Sequence, residues 1–194
     1  MKRQPRSAHS DHSRCGSAML VRAMPVILRL ERPPAARTPV PAAAAAAALA
    51  VCLDPRAQPG GEWHEPVSAW IAGHIRKVSR RARGAHWQAA QAFPGVTVEV
   101  DGAEVRALVP GLVVETPKEI SRLQISGSEL PADEPGPIPD GVPVLWLNPA
   151  VPLTAGKAAA QVGHASMLLA ALLDEPDIKA WTEIGFRCAV RMPT

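Results

Sequence analysis

Large aromatic side chains are scarce: the 194 residues include two Phe, five Trp and no Tyr. A core with so few rings has to be built from alanine and aliphatic residues, which lets helices and sheet approach closely. Lysine is also scarce, with Lys2, Lys77, Lys118, Lys157 and Lys179 forming the whole set. A lysine inside a chemically meaningful motif therefore stands out from background. Cys15, Cys52 and Cys188 are odd in number and lack CxxC spacing, which argues against a disulfide framework and fits free thiols in a reducing, cytoplasmic setting. Long apolar runs are missing too. The alanine stretch 41–53 is too short and too weakly hydrophobic to span a bilayer, so no membrane partner is expected.

What is present is a chain 47% apolar with 21 prolines. Proline is at about twice its ordinary usage, which predicts long connections between ordered pieces. The net charge of +3 is mild; it permits an RNA partner without requiring one. Residues 1–23 carry Lys2, Arg3, Arg6, Arg14 and Arg22 against Asp11 and read as a disordered basic leader. His9, His12 and Cys15 have metal-like spacing there, but no metal is expected of them, and no cofactor is implied anywhere in the chain.

Local patterns predict an α/β fold, a mixed sheet flanked by helices. Strands are expected over Pro25–Glu31, His74–Arg80, Leu123–Ser126 and Pro143–Pro149, the last one buried, with a final strand over Phe186–Arg191. Helices are expected over Ala42–Leu53, Pro66–Ala72, Ala85–Ala92, Ala155–Leu173 and Pro176–Ile184. Val96–Val100 and Ala103–Val109 flank Asp101-Gly102, the clearest hairpin signal in the chain.

Two stretches resemble each other in order and spacing. Pro25-Val26-Ile27-Leu28-Arg29-Leu30 is similar to Pro143-Val144-Leu145-Trp146-Leu147-Asn148, and each precedes an alanine-rich helix. Ala69-Trp70 through Val78 is similar to Ala180-Trp181 through Val190. This predicts two strand–helix lobes related by a degenerate duplication: 24–114, a Pro-rich linker 115–141, and 142–194, in which the second copy is incomplete. The incomplete sheet would leave an exposed edge at Phe186–Arg191.

The most informative segment is Gly156-Lys157-Ala158-Ala159-Ala160-Gln161-Val162-Gly163-His164-Ala165. Thr154 is an expected N-cap, which puts Lys157 at the third helical position. Free amides and a cation at one helix start suit an RNA phosphate or a developing oxyanion. Gly156 is expected to let a ligand approach the backbone. Gln161 and His164 follow on the face of Lys157, one and two turns on. The bland alternative is a solvated lysine beside a packed histidine.

A strand, a short loop and this signature together resemble the opening of the peptidyl-tRNA hydrolase family of archaea and eukaryotes, and the two-lobed plan is similar to a version found in high-GC bacteria. The resemblance is strong over about ten residues and weaker over 142–194. It implies cleavage of the ester between peptide and tRNA, with catalytic roles carried to Lys157 and His164 and tRNA contacts to Gly156 and Gln161. There are departures: Pro152 stands where the family usually has a further lysine, and the family's Asp-Ala-Gly-x-Thr motif does not occur. Independently of the resemblance, Arg76, Lys77, Arg80, Arg81 and Arg83 form the densest basic cluster, beside His86 and Trp87, and are candidate RNA contacts. The rival to hydrolysis is an RNA-binding protein without the chemistry. Whether a site assembles in one chain, between lobes or across a homodimer is open at this level.

Overall fold

The computed structural model describes residues 21–125 and 129–193. The leader 1–20, with His9, His12 and Cys15, lies outside these residues, as does Ser126. The fold is α/β with parallel and antiparallel strands.

Strand β1 (Arg22–Arg29) starts three residues before the expected Pro25 because Arg22 and Ala23 pair with β5 (Gly111–Leu112). Helix α1 (Pro39–Leu53) and the short α2 (His64–Ile71) return the chain to β2 (Arg76–Ala82), which lies parallel to β1. Helix α3 (Gly84–Gln91) leads into the hairpin β3 (Gly95–Val100) and β4 (Ala103–Leu108). Its two-residue turn has positive φ at Asp101 and Gly102, as an Asp-Gly hairpin requires. The sheet order is β2-β1-β4-β3, with β4 antiparallel to β1. Helix α4 (Lys118–Ser121) follows. Although it lies within the expected linker, its Ile120 packs with Ile27, Ala82, Trp87 and Leu108 under the sheet.

The C-terminal segment forms β6 (Val144–Trp146), α5 (Ala155–Ala170), α6 (Glu175–Glu183) and β7 (Ala189–Arg191), with β6 and β7 parallel. Several expectations shrink here. The strand expected to be buried keeps three residues, and its Trp146 is 63% exposed. Phe186 leaves the last strand, taking a positive φ at the turn before it. The last strand pairs only with β6 among the described residues, so its other edge is open as expected, while its Ala189 and Val190 side chains are buried in the core. Leu123–Gln124 makes a single bridge to Arg81 instead of a strand.

Helix α1 explains the arrangement. Val40 through Leu49 are buried on every side of it, because it lies between the main sheet and α5. Alanines make that possible: with methyl side chains, both neighbours come close to its axis. Gly163 of α5 passes Ala48 with its missing side chain facing that methyl at 3.4 Å, and the buried Ser166 hydroxyl donates to the Ala45 carbonyl at 3.1 Å. The Pro-rich stretch after 130 has no regular structure but is not a free linker. Its Pro131 carbonyl accepts from the Arg37 amide, its Asp133 binds Thr38, and its Gly136 carbonyl accepts from Arg191.

The two strand–helix–helix–strand units share details beyond their order. Trp70 Nε1 donates to the Arg76 carbonyl at 2.9 Å, and Trp181 Nε1 donates to the Arg187 carbonyl at 2.7 Å, six residues on in both cases. The residue just before each of those arginines, Ile75 and Phe186, has positive φ.

Candidate active site

Helix α5 begins as its sequence suggests. Thr154, extended, caps it by accepting from the Lys157 amide at 3.4 Å, and Lys157 is the third helical residue. Ala158, Ala159, Val162, Gly163 and Ser166 form the buried face. The remaining stripe runs Lys157, Gln161, His164, the first two exposed and the third half-buried. Signature residues therefore divide by periodicity: the small ones seat the helix and the polar ones stay accessible.

Gly156 has a different job from the one expected. A side chain there would meet the Ser79 Cβ at 3.3 Å and the Ile125 carbonyl oxygen at 3.5 Å. The glycine admits protein, letting the helix start press against β2. Ser79 itself is 7% exposed, and its hydroxyl has no partner among the described residues. A buried hydroxyl left unpaired is costly, and this one adjoins the first turn of α5. Nothing in the sequence marked Ser79, which sits in an arginine-rich strand.

A cavity of about 400 Å³ lies between the starts of α1 and α5, touching Thr38 and Pro41 on one side and Thr154, Ala155 and Ala158 on the other. The start of α1 is closed: the Thr38 amide donates to Asp133 Oδ1 at 3.1 Å, and the Thr38 hydroxyl donates to Oδ2. No carboxylate bonds the start of α5 among the described residues, although Glu129 lines the same cavity. A helix dipole and unpaired amides there favour an anion.

The basic cluster is divided by the alternation of β2. Lys77 lies under α5, its methylenes against Gly163, its ammonium 3.2 Å from Met167 Sδ and 5.1 Å from the centre of the Trp70 ring. Burial holds its amine down at about 8, with Cys52 acting weakly the other way. Burial likewise pushes the Cys52 thiol up to about 11 and the Cys188 thiol to about 12, so neither is an activated thiolate. Arg80 points to the opposite face and donates to the Ser121 and Leu123 carbonyls at 2.7 and 2.9 Å. Arg76 is exposed at the start of the strand. Only Arg81 and Arg83 reach a common cavity at its far end, where His86 joins them. Arg81 is there hydrogen-bonded to Gln124.

Among the described residues no group of His, Cys, Asp or Glu is arranged to hold a metal ion, and no helix is long and apolar enough to cross a membrane. No protein-family model, curated protein or solved structure matches this chain.

Proposed function

We propose that this chain is a peptidyl-tRNA hydrolase acting at the start of α5. Lys157 and the first amides of the helix hold the tRNA phosphate or polarise the ester carbonyl, and water is the nucleophile. His164 is the group on the same stripe able to take its proton. The observation that carries the reading is the accessible Lys157–Gln161–His164 stripe rising from a capped start of a helix that itself holds no Asp or Glu. The neighbouring cavity offers apolar walls, including Leu147, Leu153 and Val190, for the acyl or peptide portion. The test is release of N-acylated amino acid from acylated tRNA by the full chain, with Lys157→Ala alongside. Turnover that vanishes in the variant supports hydrolysis. If Ser79 also faces the reacting ester, Ser79→Ala lowers turnover without lowering the melting temperature.

A second reading is RNA binding without hydrolysis, in the cytoplasm and with tRNA as partner. One observation favours it: the Lys157 ammonium has no hydrogen bond or ion pair among the described residues, and α5 carries no Asp or Glu. That arrangement suits anion binding more directly than proton transfer. Under it Lys157→Ala weakens tRNA binding and flattens its salt dependence, with no turnover in either protein. A homodimer would be reported by the same preparations in sedimentation.

A further inference from the structure

A cavity of about 460 Å³ opens past the C-terminal ends of the parallel pair β1 and β2, where crevices of α/β sheets characteristically take ligands. Four guanidiniums line it: Arg32 from the loop after β1, Arg81 and Arg83 from the end of β2, and Arg122 from the end of α4. Two carboxylates, Glu31 and Glu129, share the lining, so the cations are in excess. Glu31 is moreover committed to other groups. It accepts from Arg29 Nε at 3.0 Å and from the Gly84 amide at 3.3 Å, and these bonds hold its carboxyl below the ordinary range. Arg122 anchors only its Nε, on the Lys118 carbonyl at 3.0 Å. The side chains of Arg32 and Arg83 make no hydrogen bond or ion pair among the described residues, although Glu31 also feels the charge of Arg83.

The rest of the wall is mostly apolar, supplied by Leu30, Pro34, Ala82, Leu123 and Leu130, with Gln124 and the His86 ring as its remaining polar groups. An arginine cluster over an apolar floor, in a cavity of small-molecule size, matches a ligand with a phosphate at one end and a flat base at the other. We infer that this cavity binds a nucleoside monophosphate unit, with Arg83, Arg32 and Arg122 on the phosphate and the base against Leu30 and Leu123. The unit is either a free mononucleotide or the phosphorylated end of an RNA. The inference does not depend on the hydrolase reading, although the cavity adjoins the α5 cavity through Glu129 and Leu130, which line both.

Calorimetric titration of the full chain with adenosine monophosphate, adenosine and inorganic phosphate tests it. Adenosine monophosphate binds saturably, and the other two bind at least about tenfold more weakly. Arg83→Ala and Arg122→Ala each weaken binding about tenfold, the effect of losing one charge-assisted pair. Both side chains are exposed, so the melting temperature holds. The exposed Lys179→Ala, with the same loss of charge, leaves the affinity unchanged. No saturable binding, binding indifferent to the two arginines, or phosphate binding as tightly as the nucleotide overturns the assignment. A short RNA that displaces the nucleotide only when 5′-phosphorylated identifies an RNA end as the source. RNA that never displaces it identifies the free nucleotide. Loss of ester hydrolysis with nucleotide binding intact counts against the proposed function alone.

Discussion

In the N-terminal unit the helix start is closed by Asp133 and α1 is buried on every side; in the C-terminal unit the equivalent start, at Thr154, is open and α5 keeps a polar stripe. The strands differ in the same sense. Ile27 of β1 is 0% exposed beneath α3 and α4, whereas Trp146 of β6 faces solvent. β1 pairs on both edges, while β6 pairs only with β7 among the described residues. One unit forms most of the core, and the other leaves a polar helix face accessible. The lesson is that a helix cannot both be buried all round and present a ligand site: α1 makes the close contacts that hold α5, and α5 is thereby free to expose Lys157, Gln161 and His164.

Four measurements would break or sharpen this comparison. Trp70→Ala removes the largest fully buried side chain and the ring that faces the Lys77 ammonium. It should cost about 3–5 kcal/mol by denaturant unfolding, with Trp181→Ala costing less. Equal losses would mean that the two units carry the fold alike. Lys77→Met comes next, because it replaces a half-buried cation with an apolar side chain of similar reach. Folded Lys77 titrates at about 8, against 10.5 for an ordinary lysine, so the folded state binds fewer protons between those values. The cost of burial is then full below pH 8 and recovers as pH rises towards 10.5. Lys77→Met should be more stable than the parent by on the order of 2 kcal/mol at pH 7, and the gap should narrow through that window. A gap independent of pH would show that the amine is solvated.

A smaller effect is expected of Asp133→Ala, which opens the start of α1. The loss of its hydrogen bonds to the Thr38 amide and hydroxyl should cost about 1 kcal/mol, read as a lower melting temperature. If it instead raises stability, the carboxylate is not holding the helix. Smallest is Trp146→Ser, which should change stability by no more than about 0.5 kcal/mol, as for an uncovered surface residue. A loss well above that would reveal something seated on the free face of β6.

Much of this was legible. The Asp-Gly hairpin and the N-cap at Thr154 depend on local chemistry, which acts over a few residues and so shows in sequence. Strand burial did not transfer. Trp146 sits in an apolar run that reads as core, yet what covers a strand is a neighbour distant in sequence. The basic cluster misled for a related reason: five nearby cations look like one patch, but strand alternation sends Lys77 and Arg80 to opposite faces. Arg32 and Arg122 enter the nucleotide cavity from loops about 90 residues apart (122 minus 32), a convergence no local pattern encodes.

By itself the sequence determined the α/β class, the hairpin, the cap of α5 and the periodicity that leaves Lys157, Gln161 and His164 on one stripe, because each follows from backbone preference and helical or strand period. Tertiary structure alone decided that α1 is sandwiched, that Gly156 faces Ser79 instead of a ligand, and that Asp133 closes one helix start while the other stays open. Those outcomes turn on which surfaces meet, and surfaces meet through contacts between residues far apart along the chain.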